Sequence, residues 1–183
     1  MNDLVMADEG IRFDASLEKL AGLNPVTEGG VITAGNASQI TDGAAAVMVC
    51  NDAGLKKIQA NPRAEIVSIS VVGDDPVFML TGPIPASIQA LKTANLTIDD
   101  MDLYEVNEAF APVPLAWAED LKADRSKLNV NGGAMALGHP LGATGAKLMT
   151  TLLHEMERRE STYGLQAICE GGGTANATII KRI

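Results

Sequence analysis

The sequence predicts an α/β fold. Segments rich in β-branched residues alternate with segments of helical spacing through most of the chain. The last two strand-like segments are separated only by Gly171-Gly172-Gly173, which predicts an adjacent antiparallel pair. No linker, heptad run or low-complexity tract interrupts the pattern, so the 183 residues read as one domain with an irregular lead.

The elements follow in order. Ser16–Leu20 is a short helical stretch that Asp14 or Ser16 can cap. Asn24-Pro25 and Glu28-Gly29-Gly30 break the pattern. The apolar run Gly43–Cys50 fits a buried helix followed by a buried strand, and its periodicity does not choose between them. Asp52–Ala60 reads as a surface helix with Lys56 and Lys57 outward, and Ala64–Val72 as a strand. Pro83-Ile84-Pro85 opens a helix with Ile84, Ile88 and Leu91 at helical spacing, ended by Asn95, Thr97 and Asp99. Leu103–Val106 is a short strand. Phe110–Lys122 is a helix in which Pro112 and Pro114 are tolerable only in the first turn. Leu128–Asn131 is extended. Gly142–Arg159 is the longest helix, with Leu148, Met149, Leu152, Leu153 and Met156 as its apolar face and Glu155 and Arg159 on the solvent side. Leu165–Glu170 and Ala175–Lys181 are the closing strands.

Composition excludes several classes. Hydrophobic residues at 46% and charged residues at 20% argue against a disordered chain. The apolar runs are too short to span a bilayer. Met1 leads into polar Asn2 and Asp3, so no secretory signal is expected. The two cysteines, Cys50 and Cys169, are too few for a disulfide scaffold and suggest a reducing, cytoplasmic setting. With 23 acidic against 14 basic residues, the net charge of -9 disfavours a nucleic-acid partner. No metal-ligand spacing is present, and the glycine runs fit neither the phosphate-loop nor the dinucleotide fingerprint.

Three segments combine reactive groups with dense glycine: Asn107-Glu108-Ala109-Phe110; Asn131-Gly132-Gly133 with Gly138-His139-Pro140 and Gly142-Ala143-Thr144-Gly145; and Cys169-Glu170-Gly171-Gly172-Gly173. All lie at carboxyl ends of expected strands, the edge where open α/β sheets build sites. His139, held between Gly138 and Pro140, is either a proton donor and acceptor near neutral pH or a loop histidine bonded to local backbone. His154 reads as a surface residue. Cys169 is either a nucleophile or base beside bare glycine N–H groups, or a small apolar residue at a strand end. Cys50 ends an apolar run and reads as core. Asn107 either caps a helix or orients a water or substrate; Glu108 is either a catalytic acid or a first-turn carboxylate. Gly142 and Gly145 suit close helix packing better than anion binding.

Together these blocks resemble the C-terminal half of the thiolase family in order and spacing. Thr33-Ala34-Gly35-Asn36-Ala37-Ser38, Asp42-Gly43-Ala44-Ala45 and Thr81-Gly82-Pro83-Ile84-Pro85-Ala86 look like further family blocks, so the resemblance runs from about Asp8 to Ile183. It implies a thiolase-like mixed sheet with helices on both faces, one half of a two-fold repeated fold. Residues 1–30 would be the remnant of a loop domain and residues 31–183 the C-terminal thiolase domain.

The implied activity is acyl transfer by Claisen condensation or by thiolytic cleavage of a 3-ketoacyl-CoA, in fatty-acid and lipid metabolism. His139 would activate a nucleophilic cysteine and donate to the thioester oxygen. Asn107 would hold a water completing that oxyanion hole. Cys169 would take the proton from the α-carbon, and the Gly171 N–H would help form a second oxyanion hole. Ser38 would contact the pantetheine arm, and Arg12 the nucleotide end. A thiol with an ordinary pKa of about 8.5 needs only modest lowering for such a role.

The resemblance implies no tightly bound cofactor and no metal; coenzyme A and acyl-CoA are substrates. The family's nucleophilic cysteine belongs to an N-terminal half, and neither Cys50 nor Cys169 sits in a context resembling it. The expected partners are therefore an N-terminal thiolase half or a homo-oligomer, meeting the long helix that begins at Gly142. The alternative is a non-catalytic, CoA-binding or subunit-like protein of the same fold. Ketosynthase relatives are disfavoured by Cys169, since they use histidines in place of the second cysteine.

Overall fold

A computed structural model describes Leu4 and residues 6–183. The expectation drawn from Met1, Asn2 and Asp3, and that part of the lead at residues 1–3 and 5, lie outside the described residues.

Helix α1, Leu17–Ala21, starts where its cap dictates: Ser16 Oγ accepts from Lys19 N at 3.2 Å. Gly43–Cys50 is irregular and exposed, which corrects the expectation of a buried helix and strand and of a core Cys50. Its Val47, Met48 and Val49 meet no apolar layer here, and short apolar runs gain regular structure only by burial. Helix α2, Asp52–Ile58, follows with Asn51 as its cap, and strand β1 spans Ala64–Gly73.

Helix α3, Pro83–Ala94, begins on proline and closes on Asn95 in the left-handed region. Its buried stripe is Pro83, Ala86, Ser87, Ala90 and Leu91, and Ile88 is exposed rather than inward. Strand β2 is Leu103–Val106 and helix α4 is Pro112–Leu121, with Pro112 and Pro114 in its first turn. Leu128 forms only an isolated bridge to Tyr104. A single turn, α5, covers Ala134–Leu137, and α6 covers Thr144–Arg158. Strands β3, Tyr163–Glu170, and β4, Thr174–Arg182, close the described chain.

The four strands make one mixed sheet in the order β1-β4-β3-β2. β2 and β3 run parallel, while β4 is antiparallel to both β3 and β1. One face carries α3 and α4 on a core of Tyr104, Val106, Trp117, Leu165, Ala167, Ala177 and Ile179. Ser68 and Ser70 tie β1 to α3, their hydroxyls donating to Ala90 O at 2.9 Å and Ala86 O at 2.6 Å. The other face carries α6 on Leu103, Leu152, Met156 and Ile180.

Two expectations about α6 change. Glu155 is buried, 4% exposed, because Arg158, Arg159 and Asn131 all donate to its carboxylate. Gly142 has open space at its Cβ position and Gly145 only an ordinary contact with Ile168, so neither permits a close approach within this chain. The residue that does is Gly164 on β3, where a Cβ would lie 2.5 Å from Met156 Sδ and 2.9 Å from Leu152 Cδ1.

Candidate functional site

The site forms at the carboxyl edge of the parallel pair. β2 ends at Val106, and Asn107 N donates to Ala167 O of β3 at 2.9 Å. That bond sets Asn107 beside the last residues of β3, which include Cys169. Asn129 holds the same strand end from the side, accepting from Val106 N and donating to Val106 O, each at 2.9 Å.

The segment Asn36–Ile40 then ties the strand end to the histidine loop. Ser38 N donates to Ala109 O and Ala111 N donates to Asn36 O, both at 2.9 Å. One residue further on, Gln39 O accepts from His139 N at 2.8 Å, and Ile40 forms a parallel bridge with His139. The histidine loop is also braced by Glu108, whose Oε2 accepts from Met135 N at 2.9 Å. Gly138 has φ 84°, and a Cβ there would lie 2.5 Å from Thr41 Oγ1. Only glycine fits this path into His139.

The result brings Asn107 and His139 together. Asn107 Nδ2 lies 3.5 Å from His139 Nε2, and His139 Nδ1 lies 2.6 Å from Thr144 Oγ1 at the start of α6. Asn107 is fully buried, and its Oδ1 has no hydrogen-bond partner among the described residues. Burial, with the Lys147 ammonium second, pulls the His139 imidazole below its usual pKa, so it is neutral at physiological pH.

Cys169 reaches this edge from β3, half-buried and packed against the α3/α4 core. No hydrogen bond joins its thiol to Asn107 or His139 among the described residues. Burial is the main cause that pushes its thiol pKa up, and Glu170 adds to it. Gly171 is exposed at the start of the β3–β4 turn, with open space at its Cβ position. Ser38 is half-buried beside Ala109. Arg12 is exposed and donates to Glu9 O at 2.8 Å, within its own turn. His154 is a surface residue, as expected.

Three of the buried polar residues lie at the site or in its two parallel strands without having been singled out from the sequence. Thr144 is one, and the signal was a hydroxyl five positions after His139, at a helix start. Glu105 and Gln166 are the others, both set in otherwise apolar strands. Glu105 Oε2 and Gln166 Oε1 are buried without partners among the described residues. Among the described residues no cluster of three metal-ligating side chains occurs, and no helix is long and apolar enough to cross a membrane.

Residues 60–182 match the thiolase C-terminal domain, and residues 1–53 match the thiolase N-terminal domain. The chain is 60% identical over 176 residues to a steroid 3-ketoacyl-CoA thiolase of Mycobacterium tuberculosis, covering 96% of this chain and 43% of that protein. The crystal structure of the Bacillus anthracis acetyl-CoA acetyltransferase superposes with a TM-score of 0.91 at 43% identity, over 96% of this chain and 45% of that one. Human mitochondrial 3-ketoacyl-CoA thiolase in complex with CoA superposes with a TM-score of 0.88 at 45% identity, over 98% of this chain and 46% of that one. The chain thus spans a little under half the length of the relatives it matches. The mixed sheet with helices on both faces is a thiolase half in its topology as well as its sequence, and the chain belongs to the thiolase family.

Proposed function

We propose that the chain is the C-terminal part of a coenzyme A thiolase. Its reaction is acyl transfer, by Claisen condensation or by thiolytic cleavage of a 3-ketoacyl-CoA, with a nucleophilic cysteine supplied by an N-terminal half. The meeting of Asn107 and His139, from segments 32 positions apart, carries this reading. A neutral His139 can take a thiol proton and return it as a hydrogen bond to a thioester oxygen. Buried Asn107 Oδ1, with no partner among the described residues, is a ready acceptor for the water that would complete an oxyanion hole.

In this reading Cys169 is the α-carbon base and the Gly171 N–H part of a second oxyanion hole. Ser38 and Arg12 contact coenzyme A, which is a substrate along with acyl-CoA. Residues 1–30 are the tail of a loop domain, residues 60–182 the C-terminal domain, and residues 31–53, which fall within the N-terminal-domain match, pack onto it. The bonds from Asn36 onward into the site loops support that contact. Ile66, Ile69 and Val71 of edge strand β1 are 41%, 58% and 72% exposed, which supports a covering partner, the N-terminal half or a second copy. Two free cysteines support a cytoplasmic setting.

The test is co-expression with a thiolase N-terminal half and assay of 3-ketoacyl-CoA thiolysis. Activity that His139→Ala and Cys169→Ala each abolish is the expected result. A stable complex that binds CoA and never turns over would establish the non-catalytic reading instead.

A further inference from the structure

The hydroxyl of Thr144 is 2.6 Å from His139 Nδ1 and 3.1 Å from Pro140 O. Thr144 is 2% exposed, so water does not compete for these positions. A carbonyl oxygen can only accept. The Thr144 O–H donates to Pro140 O, an oxygen that also accepts from Ala143 N at 2.7 Å and Thr144 N at 2.9 Å, and a hydroxyl has one proton to give. What Thr144 Oγ1 offers His139 is a lone pair, which Nδ1 can meet only as N–H. The other ring nitrogen agrees independently, because Nε2 faces the amide Nδ2 of Asn107, a donor with no lone pair to give. Both contacts call for a proton on Nδ1 and a free lone pair on Nε2.

We propose that Thr144 is a positioning residue that locks His139 in the Nδ1–H tautomer, so that Nε2 is the nitrogen free to accept a proton at the site. The side chain is well placed for it. Thr144 is the first residue of α6, and its N–H also donates to Pro140 O at 2.9 Å. The hydroxyl is thereby fixed by the helix start rather than by a mobile loop. The charged groups of α6 nearest the ring are few: Lys147 is the one whose field reaches it, and it disfavours the doubly protonated ring. The tautomer of a histidine is set by the bond at its other nitrogen, and here that bond is to an alcohol with no charge to lose.

The assignment gives the Proposed function a deeper layer, but its test does not depend on it. Nitrogen-15 NMR of the 183-residue chain reads the tautomer directly, and the chain has only two histidines. His154 is an internal standard, since its Nδ1 lies 2.8 Å from Thr150 O and must carry a proton. At a pH where both rings are neutral, His139 Nδ1 is expected to give a pyrrole-type shift and Nε2 a pyridine-type shift. Thr144→Val should lose that pattern for His139 alone, Thr144→Ala should do the same, and Thr144→Ser should restore it. An Nε2–H tautomer in the unmodified chain overturns the proposal. So does an unchanged pattern in whichever of the valine and alanine variants folds. In the assembled enzyme the valine variant should lower kcat with KM nearly unchanged; absence of any activity in the assembled enzyme with Thr144 intact sinks the thiolase reading and leaves the tautomer result standing.

Discussion

Glu105 and Gln166 stand opposite each other in the parallel register of β2 and β3, each with a buried side-chain oxygen that has no partner among the described residues. A buried carboxylate with no donor to meet its oxygen is costly, and a neutral carboxylic acid avoids burying that charge. Burial does most to push the Glu105 carboxyl up to about 8. The neighbouring Glu155 and Glu108 push in the same direction, while Lys147 opposes them.

A pH dependence follows for Glu105. In the unfolded chain the carboxyl ionises near 4.5, whereas in the fold it stays protonated to about 8. Its contribution to stability is therefore full at acid pH and declines as pH rises between those values. The slope is at most about 1.4 kcal/mol per pH unit for one group. Urea unfolding of the chain from pH 5 to 8 should show Glu105→Gln gaining on the unmodified protein steadily as pH rises. A constant difference between the two would show Glu105 to be ionised in the fold.

Glu155 behaves in the opposite sense. The Arg158 bond, with Asn131 and Arg159 beside it, holds this carboxyl down at about 2. Its stabilising effect is full above its ordinary value and is lost as pH falls toward 2. Glu155→Gln should cost about 1–3 kcal/mol at pH 7. The penalty should shrink in unfolding measurements carried towards pH 2. Arg158 and Arg159 are substantially exposed, so 1 M salt should narrow the gap as well.

These two glutamates mark where sequence reasoning reached and where it stopped. Strand β2 was legible to the residue, because four residues between polar turns have one way to lie flat, and α3 and α4 were legible from their opening prolines. Glu155 was read as solvated because a helix pattern does not show that Asn131, 24 positions away, reaches over it. Gly43–Cys50 was read as buried because apolar content says what prefers burial, not whether a layer is present to provide it. His139, Asn107 and Cys169 were legible as glycine-framed reactive groups. That Asn107 and His139 meet depends on Asn36–Ile40, whose backbone bonds carry no side-chain signature.

The close seat of α6 on β3 gives a packing test. Gly164→Ala puts a methyl against Met156 and Leu152 and should cost about 1–3 kcal/mol. Met156→Ala opens a cavity and should cost about 2–5 kcal/mol alone. The double variant should be less destabilised than the sum, since each change relieves the other. Additive costs in chemical denaturation would mean that the helix shifts away instead.

Glycines at the site divide into required and permissive. Gly138→Ala faces both a positive φ of 84° and the Thr41 side chain, and should cost about 1–3 kcal/mol while perturbing the His139 resonances. Gly171→Ala has open space and keeps its N–H, so its stability should stay within about 0.5 kcal/mol of the unmodified chain. Thermal unfolding of both variants, paired with histidine NMR, separates the two roles. Loss of stability in Gly171→Ala would show that its turn is held in a conformation that needs glycine.

Cys169 sets the last prediction. A base must ionise, yet in this chain burial raises the thiol pKa, against the lowering that the proposed role needs. Alkylation followed by peptide mass spectrometry should therefore find exposed Cys50 modified well before Cys169 at neutral pH. The Cys169 rate should climb as pH rises through and above the ordinary thiol range, because only the thiolate attacks. If the thiolase reading is right, joining the N-terminal half must supply the missing stabilisation of that thiolate. The midpoint of the Cys169 pH–rate profile should then move down in the complex while that of Cys50 stays put. A complex that turns over 3-ketoacyl-CoA with the Cys169 midpoint unmoved would assign proton abstraction to a different group.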